Sequence, residues 1–288
     1  MIGLHEFDND IGIHVVQLDL EADPAKRSDE AQAAMFVGMS EPDIQREYKR
    51  NWRVATGQPV YAGQFVKSWH VAPEPLLAYP NLPLYGGWDA GPTHTAPARI
   101  VAQLDPMGRI NVLAEFYTWD GWGDAVTMDF DLFTEDVLLK CNADFYGADW
   151  IDYADPAGWG KSTLHHMSEE KSCVDILRRR GVHPKPGPMT FTARKEAMNG
   201  RLRLAIGGRA AIWIDPSCHM LIEGFEGAYR YEQIGETGRF KPTVEKNAWS
   251  HPMNALEYIV GALFGKTQQR ERDPEPAKQR RRDKVTGY

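Results

Sequence analysis

Cysteine is scarce in this sequence, with only Cys141, Cys173 and Cys218 among 288 residues. The number is odd and the three are far apart, so we expect neither a disulfide framework nor a zinc site built from paired cysteines. Each is predicted to be a buried thiol.

Long apolar runs are also missing, since none reaches the roughly 20 residues that a membrane-spanning helix needs. The first residues, MIGLHEFDNDIG, have neither the basic start nor the apolar stretch of a signal peptide. We therefore expect a cytoplasmic protein that does not contact a membrane.

Positive charge is in deficit, with 33 Lys and Arg against 40 Asp and Glu. This balance argues against polyanion binding over the whole surface. The 42% apolar and 25% charged residues are typical of a folded globular chain, which excludes general disorder, a collagen-like repeat and a coiled coil. Residues 267–288 differ, because they are polar and rich in Lys and Arg, and they predict a disordered basic tail. A tail that only aids solubility is the alternative.

The apolar pattern predicts an α/β domain with the order β-β-β-α-β-α over its first part. The predicted strands are PLYGGWDAG, APARIVAQLD, INVLAEFYTW and FYGADWIDYAD, with a turn at 106–108. The predicted helices are 124–139 and 169–180, followed by a helix at 194–204, a strand in AAIWID, a hairpin at 228–244 and a helix at 252–264. Before these elements, a strand at 13–18 and a helix at 41–52 stand among several Pro and Gly residues, typical of a connecting segment. The predicted division is a linker segment at 1–75, a domain at 76–266 and the tail.

Two carboxylates, Asp89 and Asp155, each end a predicted strand and precede a turn of small residues. Ligand sites commonly form at strand ends in α/β sheets. Two acids converging there supply the oxygen ligands that Mg²⁺ and Mn²⁺ prefer, and a pair of such ions suits phosphodiester cleavage. An Asp before Gly or Pro is more often only a turn former, which is the alternative for each residue.

The segment GWGKS follows the second of these strands and contains Lys161. A phosphate-binding loop would need glycine at position 155, where this chain has Asp155. ATP binding is therefore not expected, although Lys161 is a candidate contact for a DNA phosphate.

The last predicted helix begins with SHPMNALEY, in which His251, Asn254 and either Glu257 or Tyr258 are spaced by three or four residues. This spacing places them on one face or on neighbouring faces. An imidazole, an amide and a carboxylate close together are typical of a functional site. A helix start followed by an apolar stripe is the alternative.

Taken in order, these motifs resemble the C-terminal nuclease domain of the large terminase subunit of tailed bacteriophages. The resemblance covers roughly residues 10–265. GQPVYAGQFVKSWHV is similar to the stretch that follows the ATPase domain, GGWDAG and DYADPAG to the two acidic strands, DILRRRG to the helix after them, and SHPMNALEY to the final helix.

The resemblance implies an RNase H-like mixed sheet flanked by helices, with an N-terminal linker segment and a β-hairpin insertion. It implies an endonuclease that uses two Mg²⁺ or Mn²⁺ ions and cuts concatemeric viral DNA during packaging in the host cytoplasm. The implied partners are double-stranded DNA, the portal protein, the small terminase subunit, and an ATPase that is either a missing domain or a separate chain. No Walker A sequence precedes residue 75, so this chain is not expected to hydrolyse ATP.

By the same resemblance the catalytic residues are Asp89, Asp155 and Asn254. The family usually has Asp in a His-x-x-Asp-Ala motif where this chain has Asn254, and an amide oxygen can coordinate a metal but carries no charge. Glu257 and His251 are further candidate ligands, and Asp152 is a possible substitute for the missing acid. The departure predicts weak cleavage or a preference for Mn²⁺.

Binding without sequence preference requires only contacts to the DNA backbone. The candidate cations are Lys161, Arg201, Arg230, Arg239 and Lys241. The predicted hairpin is the favoured DNA guide, with an ordinary surface hairpin as the alternative. A catalytically weak module that grips DNA or docks on the portal is the competing function, and a resolvase with an RNase H-like fold is a more distant one.

Overall fold

The computed structural model of the chain describes residues 4–8, 14–18, 20–37, 57–91, 97–118, 128–159, 172–234 and 239–265. The predicted helix at 41–52, Lys161 and the predicted tail lie outside these residues. Within the described ranges, every helix is too short or too polar to cross a membrane.

The strands, in chain order, are β1 (Leu4–Asp8), β2 (His14–Leu18), β3 (Leu84–Asp89), β4 (Ala98–Leu104), β5 (Ile110–Tyr117), β6 (Trp150–Ala154), β7 (Lys185–Pro186), β8 (Ala205–Ile206), β9 (Arg209–Ala210), β10 (Ile212–Ile214), β11 (Tyr231–Gln233) and β12 (Phe240–Val244). The α-helices are α1 (Asp29–Met35), α2 (Lys67–His70), α3 (Phe130–Asp144), α4 (Cys173–Arg179), α5 (Phe191–Arg203), α6 (His219–Glu223) and α7 (Ser250–Phe264). Short 3-10 helices cover Leu20–Ala22, Pro24–Lys26 and Pro156–Trp159, and a π-helical turn covers Gly224–Ala228.

A six-stranded mixed sheet forms the centre of the fold, with the order β10-β5-β4-β3-β6-β7. Strands β3, β4 and β5 are antiparallel neighbours, whereas β6 runs parallel to β3 on its other side. The turn between β4 and β5 places Gly108 at a φ of 82°, a left-handed conformation that glycine adopts without strain. The predicted mixed sheet and its first hairpin are confirmed.

One apolar cluster lies on each face of this sheet, because successive side chains of a strand point to opposite sides. The first cluster includes Leu84, Trp88, Val101, Phe133, Val137 and Leu177, which join β3 and β4 to α3 and α4. The second includes Tyr85, Ile100, Ala102, Met198, Leu256 and Ile259, which join the same strands to α5 and α7. The sheet is therefore covered by helices on both faces.

The helix boundaries differ from the sequence prediction where capping residues decide them. Helix α3 begins at Phe130 because the Asp129 carboxylate accepts hydrogen bonds from the backbone N–H groups of Asp131 and Leu132. Helix α4 begins at Cys173, after a capping box between Ser172 and Asp175. The predicted hairpin is confirmed as the antiparallel pair β11–β12.

Part of the predicted linker segment belongs to the core. Val60 and Tyr61 are buried in the second cluster, and the Val60 N–H donates to the Tyr229 carbonyl at 3.0 Å. The division at residue 75 stays a prediction, but residues 57–72 pack with the domain that follows them.

All three cysteines are free thiols. The predicted burial is confirmed for Cys141 and Cys218, whereas Cys173 is only half-buried at the start of α4.

Candidate metal centre

The two strand-end aspartates leave the sheet at the same edge. Asp89 is the last residue of β3, and Asp155 directly follows β6. These strands are parallel neighbours in which Trp88 pairs with Ala154, and the Asp155 N–H donates to the Trp88 carbonyl at 3.3 Å. Asp89 and Asp155 each stand one residue after this pair. Because successive side chains of a strand point to opposite faces, both carboxylates are placed on the face of the sheet that α7 covers.

Helix α7 crosses this face directly over β3. Gly87 permits the close approach, because a Cβ atom at that position would clash with the carbonyl oxygen of Ala255. In the first turn of α7, Nδ1 of His251 lies 3.0 Å from Oδ1 of Asp89. Both side chains are buried, and the role of His251 as a metal ligand stays a prediction.

The charge of Asp89 is stabilised despite its burial. Burial alone would raise its pKa, but the hydrogen bond and charge of His251, the Gly91 N–H and the charge of Lys246 together lower the pKa of Asp89 below its ordinary value. The Gly91 N–H donates to Oδ1 at 2.8 Å. Asp89 is therefore an anion at neutral pH, as a metal ligand must be.

Asp155 is more open than Asp89. Its Oδ1 accepts from the Ala157 N–H at 2.9 Å, the pattern of an Asp that begins a turn. Burial raises the pKa of the Cys173 thiol to about 11, and the charges of Asp89 and Asp155 both add to that rise. Cys173 is therefore a neutral thiol at pH 7.

Asn254 lies one helical turn after His251 and is buried, with 5% of its surface exposed. Its Oδ1 accepts a hydrogen bond from the Tyr229 hydroxyl at 3.2 Å. The amide is consequently anchored from the core side of α7.

Glu257 belongs to a buried network. It is fully buried, and its oxygens accept from the Tyr61 hydroxyl at 2.6 Å and from Nε of Arg194 at 3.1 Å. Burial raises its pKa, against the opposing effects of Arg194 and Tyr61. Both oxygens are engaged in joining α7 to α5 and to residues 57–72, which leaves neither available to a metal ion and corrects the prediction of Glu257 as a ligand.

Asp152 points to the opposite face of the sheet. It accepts from Nε1 of Trp88 at 2.7 Å and from Nη2 of Arg99 at 3.3 Å. The Arg99 guanidinium is itself held between the rings of Trp88 and Trp150, 4.4 Å from each centroid. Asp152 therefore cannot substitute for the acid that position 254 lacks.

The donor set suits a hard cation only in part. Over the ranges that the structure describes, no group of three or more His, Cys, Asp and Glu residues could hold a metal ion. What the structure shows is a pair of carboxylates that leave the sheet at one edge. Mg²⁺ is commonly bound by one or two carboxylates and completed by water and substrate phosphate, so Asp89 and Asp155 fit such an ion.

The predicted DNA contacts are mostly paired or buried. Arg201 donates to the Gly108 carbonyl at 2.6 Å and lies over the Phe264 ring, so its guanidinium belongs to the interior. On the hairpin, Arg230 pairs with Glu245 at 2.6 Å and Lys241 with Glu232 at 2.5 Å, while Arg239 is exposed. The acids of the same hairpin offset much of its positive charge.

One residue near Asp89 was missed by the sequence reasoning. Lys246 is exposed, and its charge contributes to the low pKa of Asp89.

No protein-family model matches the chain, and no curated protein does. Among solved structures, the large terminase from the thermophilic bacteriophage D6E aligns with a TM-score of 0.53 at 18% identity, covering 83% of this chain and 53% of that one. The HK97 bacteriophage large terminase aligns at 0.46 and 15% identity, covering 84% and 53%. The magnesium-bound large terminase nuclease from the thermophilic phage G20c aligns at 0.43 and 12% identity, covering 72% and 97%.

Of these three alignments, the one with the D6E protein has a TM-score above 0.5 and bears on the fold. This chain spans about half the length of that large terminase, with 53% of it covered. The chain thus resembles the D6E large terminase in fold, and the RNase H-like mixed sheet flanked by helices that the sequence predicts is confirmed.

Proposed function

We propose that this chain is a divalent-metal-dependent DNA endonuclease that cuts concatemeric viral DNA during genome packaging. The observation that supports it best is the position of Asp89 and Asp155, at the same end of two adjacent parallel strands and on one face. His251 and Asn254 of α7 lie over that face. This arrangement brings two acidic side chains to one edge of the sheet, one of them buried and oriented by His251.

Asp89 and Asp155 would hold the metal, and the Asn254 carbonyl would add a neutral oxygen. A pair of Mg²⁺ or Mn²⁺ ions, when bound, would stabilise the charge on the attacking and leaving oxygens of a phosphodiester. His251 holds one oxygen of Asp89 by its 3.0 Å contact and so fixes the direction of the other. The low pKa of Asp89 keeps it ionised at the pH of the cell.

The proposed context is the packaging machine in the host cytoplasm, away from membranes. Its expected partners are double-stranded DNA, the portal protein, the small terminase subunit and an ATPase domain or chain. No Walker A sequence precedes residue 75, so the proposal assigns the motor function to an ATPase domain or chain other than the described domain. We expect no ATP hydrolysis by this chain.

A supercoiled-plasmid assay with Mg²⁺ and with Mn²⁺ tests the endonuclease. The wild-type chain should nick and linearise the plasmid, and Asp89→Ala should lower the rate by about 100-fold or more, because it removes a metal ligand. Asp136→Ala is the matched control, since Asp136 is an exposed residue paired only with Lys140. Equal cleavage by Asp89→Ala, or none by the wild type with either ion, would contradict the proposal.

The second candidate is a module that grips DNA or docks on the portal with little cleavage. The specific observation in its favour is Asn254, which supplies no charge and whose Oδ1 already accepts from Tyr229. In the plasmid assay this function predicts DNA binding without nicking in either metal.

A further inference from the structure

The side chain of Arg194, in the first turn of α5, joins α7 to the loop that follows β7. Its Nε donates to Oε2 of the buried Glu257 at 3.1 Å. Its Nη1 donates to the carbonyl oxygens of Pro188 and Met189, at 3.3 and 3.2 Å. Because the N–H groups of a guanidinium form a rigid planar fork, one side chain sets the separation between α7 and the backbone of this loop.

The loop at 187–189 is attached to the strand that ends just before Asp155. Pro186 of β7 pairs with Ala154, the last residue of β6. The Gly187 N–H donates to the Ala154 carbonyl at 2.9 Å. A shift of the loop would therefore move the backbone that carries the Asp155 carboxylate.

Helix α7 packs closely on the same loop. A Cβ atom on Gly187 would lie 2.7 Å from the Tyr258 ring, and a Cβ atom on Gly261 would lie 2.7 Å from the Pro188 ring. The Arg194 guanidinium is 5.0 Å from the centroid of the Tyr258 ring. The helix and the loop therefore have little room to move against each other while Arg194 is bonded to both.

The two elements that Arg194 joins support the two sides of the candidate site. Helix α7 carries His251, whose Nδ1 lies 3.0 Å from Oδ1 of Asp89, and the loop supports the end of β6 before Asp155. We propose that Arg194 is a positioning residue that sets the separation of the Asp89 and Asp155 carboxylates and so the affinity for the metal ion between them. This inference rests on the proposed function. Mg²⁺ accepts oxygen ligands only near an octahedral geometry at about 2.0–2.1 Å, so ligands on two elements must be held at a set distance.

Arg194→Lys tests this, because lysine keeps a positive charge beside Glu257 but lacks the planar fork that also reaches the loop. Arg109→Lys is the matched control. The Arg109 side chain is 14% exposed against 11% for Arg194, and its Nε also donates to a carboxylate, that of Asp105. It lies in the β4–β5 turn, at the opposite end of the strands from Asp89.

Mn²⁺ binding is measured by titration calorimetry, and cleavage is measured over a range of Mn²⁺ concentrations. We expect Arg194→Lys to bind Mn²⁺ about tenfold more weakly and to need about tenfold more Mn²⁺ for half-maximal cleavage. At saturating Mn²⁺ its rate should stay within about threefold of the wild type, because bound ions draw the carboxylates back together. A purely structural role would lower the rate by one factor at every Mn²⁺ concentration. Arg109→Lys should match the wild type within about twofold.

Tyr61→Phe separates the loop contact from the Glu257 contact. It removes the hydrogen bond to Oε1 of Glu257 and leaves every contact of Arg194 in place. We expect its Mn²⁺ binding to stay within about twofold of the wild type. Equal weakening by Tyr61→Phe and Arg194→Lys would overturn the role of the loop contact. Urea unfolding checks that each variant is folded, and if Arg194→Lys is not, Arg194→Gln replaces it, since its amide can still donate to Glu257.

The outcomes separate this inference from the proposed function. If the wild type cleaves and Arg194→Lys has the same Mn²⁺ dependence, the positioning role is overturned while the endonuclease stands. If the wild type binds Mn²⁺ but cleaves no DNA, the proposed function fails, and the binding comparison decides alone. Weaker Mn²⁺ binding by Arg194→Lys would then support the inference, and equal binding would overturn it. If the wild type binds no Mn²⁺, there is no ion to position and the inference is overturned.

Discussion

The carbonyl oxygen of Ala255 occupies the space that a Cβ atom on Gly87 would take. This relationship sets the distance between α7 and β3, the two elements that carry His251 and Asp89. A side chain at position 87 would separate them, so the geometry of the site depends on a residue that has no functional group.

Gly87→Ala should therefore destabilise the protein and loosen the site. Overpacking of a well-packed interior costs about 1–3 kcal/mol, and the obstacle here is backbone rather than a flexible side chain. Urea unfolding would measure the loss. The control is Gly200→Ala in α5, where an added Cβ meets no atom within 4 Å and should stabilise by about 0.5–1 kcal/mol. If Gly87→Ala unfolds at the same urea concentration as the wild type, α7 can move without cost and this account is wrong.

The pairing of His251 with Asp89 should appear in the pH dependence of stability. Because the folded pKa of Asp89 lies below its ordinary value of 3.8, its ionised form stabilises the fold above that pH, and this contribution is lost as the pH falls through the folded pKa. His251→Ala removes the main partner of a buried carboxylate. At pH 7 we expect a loss of about 1–3 kcal/mol in the free energy of unfolding.

The difference between the wild type and His251→Ala should shrink in acid, below about pH 4, where the carboxylate becomes protonated in the variant. Denaturant unfolding from pH 3 to pH 7 would follow it. The exposed His183, changed to Ala, provides the control. A difference that stays constant over this range would show that the contact does not depend on the charge of Asp89.

Asn254→Asp should increase cleavage in Mg²⁺. The change adds a negative charge at the position where the resemblance predicts a metal-binding acid, and Tyr229 can still donate to the new carboxylate. We expect a rise of about tenfold in the Mg²⁺-dependent rate, since an added charged ligand tightens a hard cation. Asn142→Asp, on an exposed position, controls for net charge. An unchanged rate in Mg²⁺ would show that the missing charge does not limit cleavage.

The aspartates could be predicted because their signal is local. Each ends an apolar strand and begins a turn of small residues, and parallel neighbours bring such ends together.

The predicted roles of Glu257 and Arg201 were wrong because each side chain contacts residues that are distant in the chain. Glu257 has the helical spacing of a ligand, but Tyr61 and Arg194, 196 and 63 residues away, engage its oxygens inside the core. Arg201 has the composition of a surface cation, yet the Gly108 carbonyl, 93 residues away, accepts from it in the interior. Helical periodicity gives the face on which a side chain lies but not which element covers that face.

Glu115 predicts a second pH effect, of opposite sign to that of Asp89. Burial raises the pKa of Glu115 to about 7, although its oxygens accept from the N–H groups of Met220 and Leu221 at 2.8 and 3.0 Å. Because the folded protein holds this proton more tightly than the unfolded chain does, the free energy of unfolding should fall as the pH rises from about 4.5 to about 7.

Glu115→Gln cannot ionise and should lack this slope. The stability of the variant relative to the wild type should therefore grow by on the order of 2 kcal/mol between pH 5 and pH 8, as measured by urea unfolding. Asp152 and Glu257, whose pKa values are also raised, are present in both proteins and cancel in this comparison. Parallel curves for the two proteins over that range would mean that Glu115 is already ionised in the folded state at pH 5.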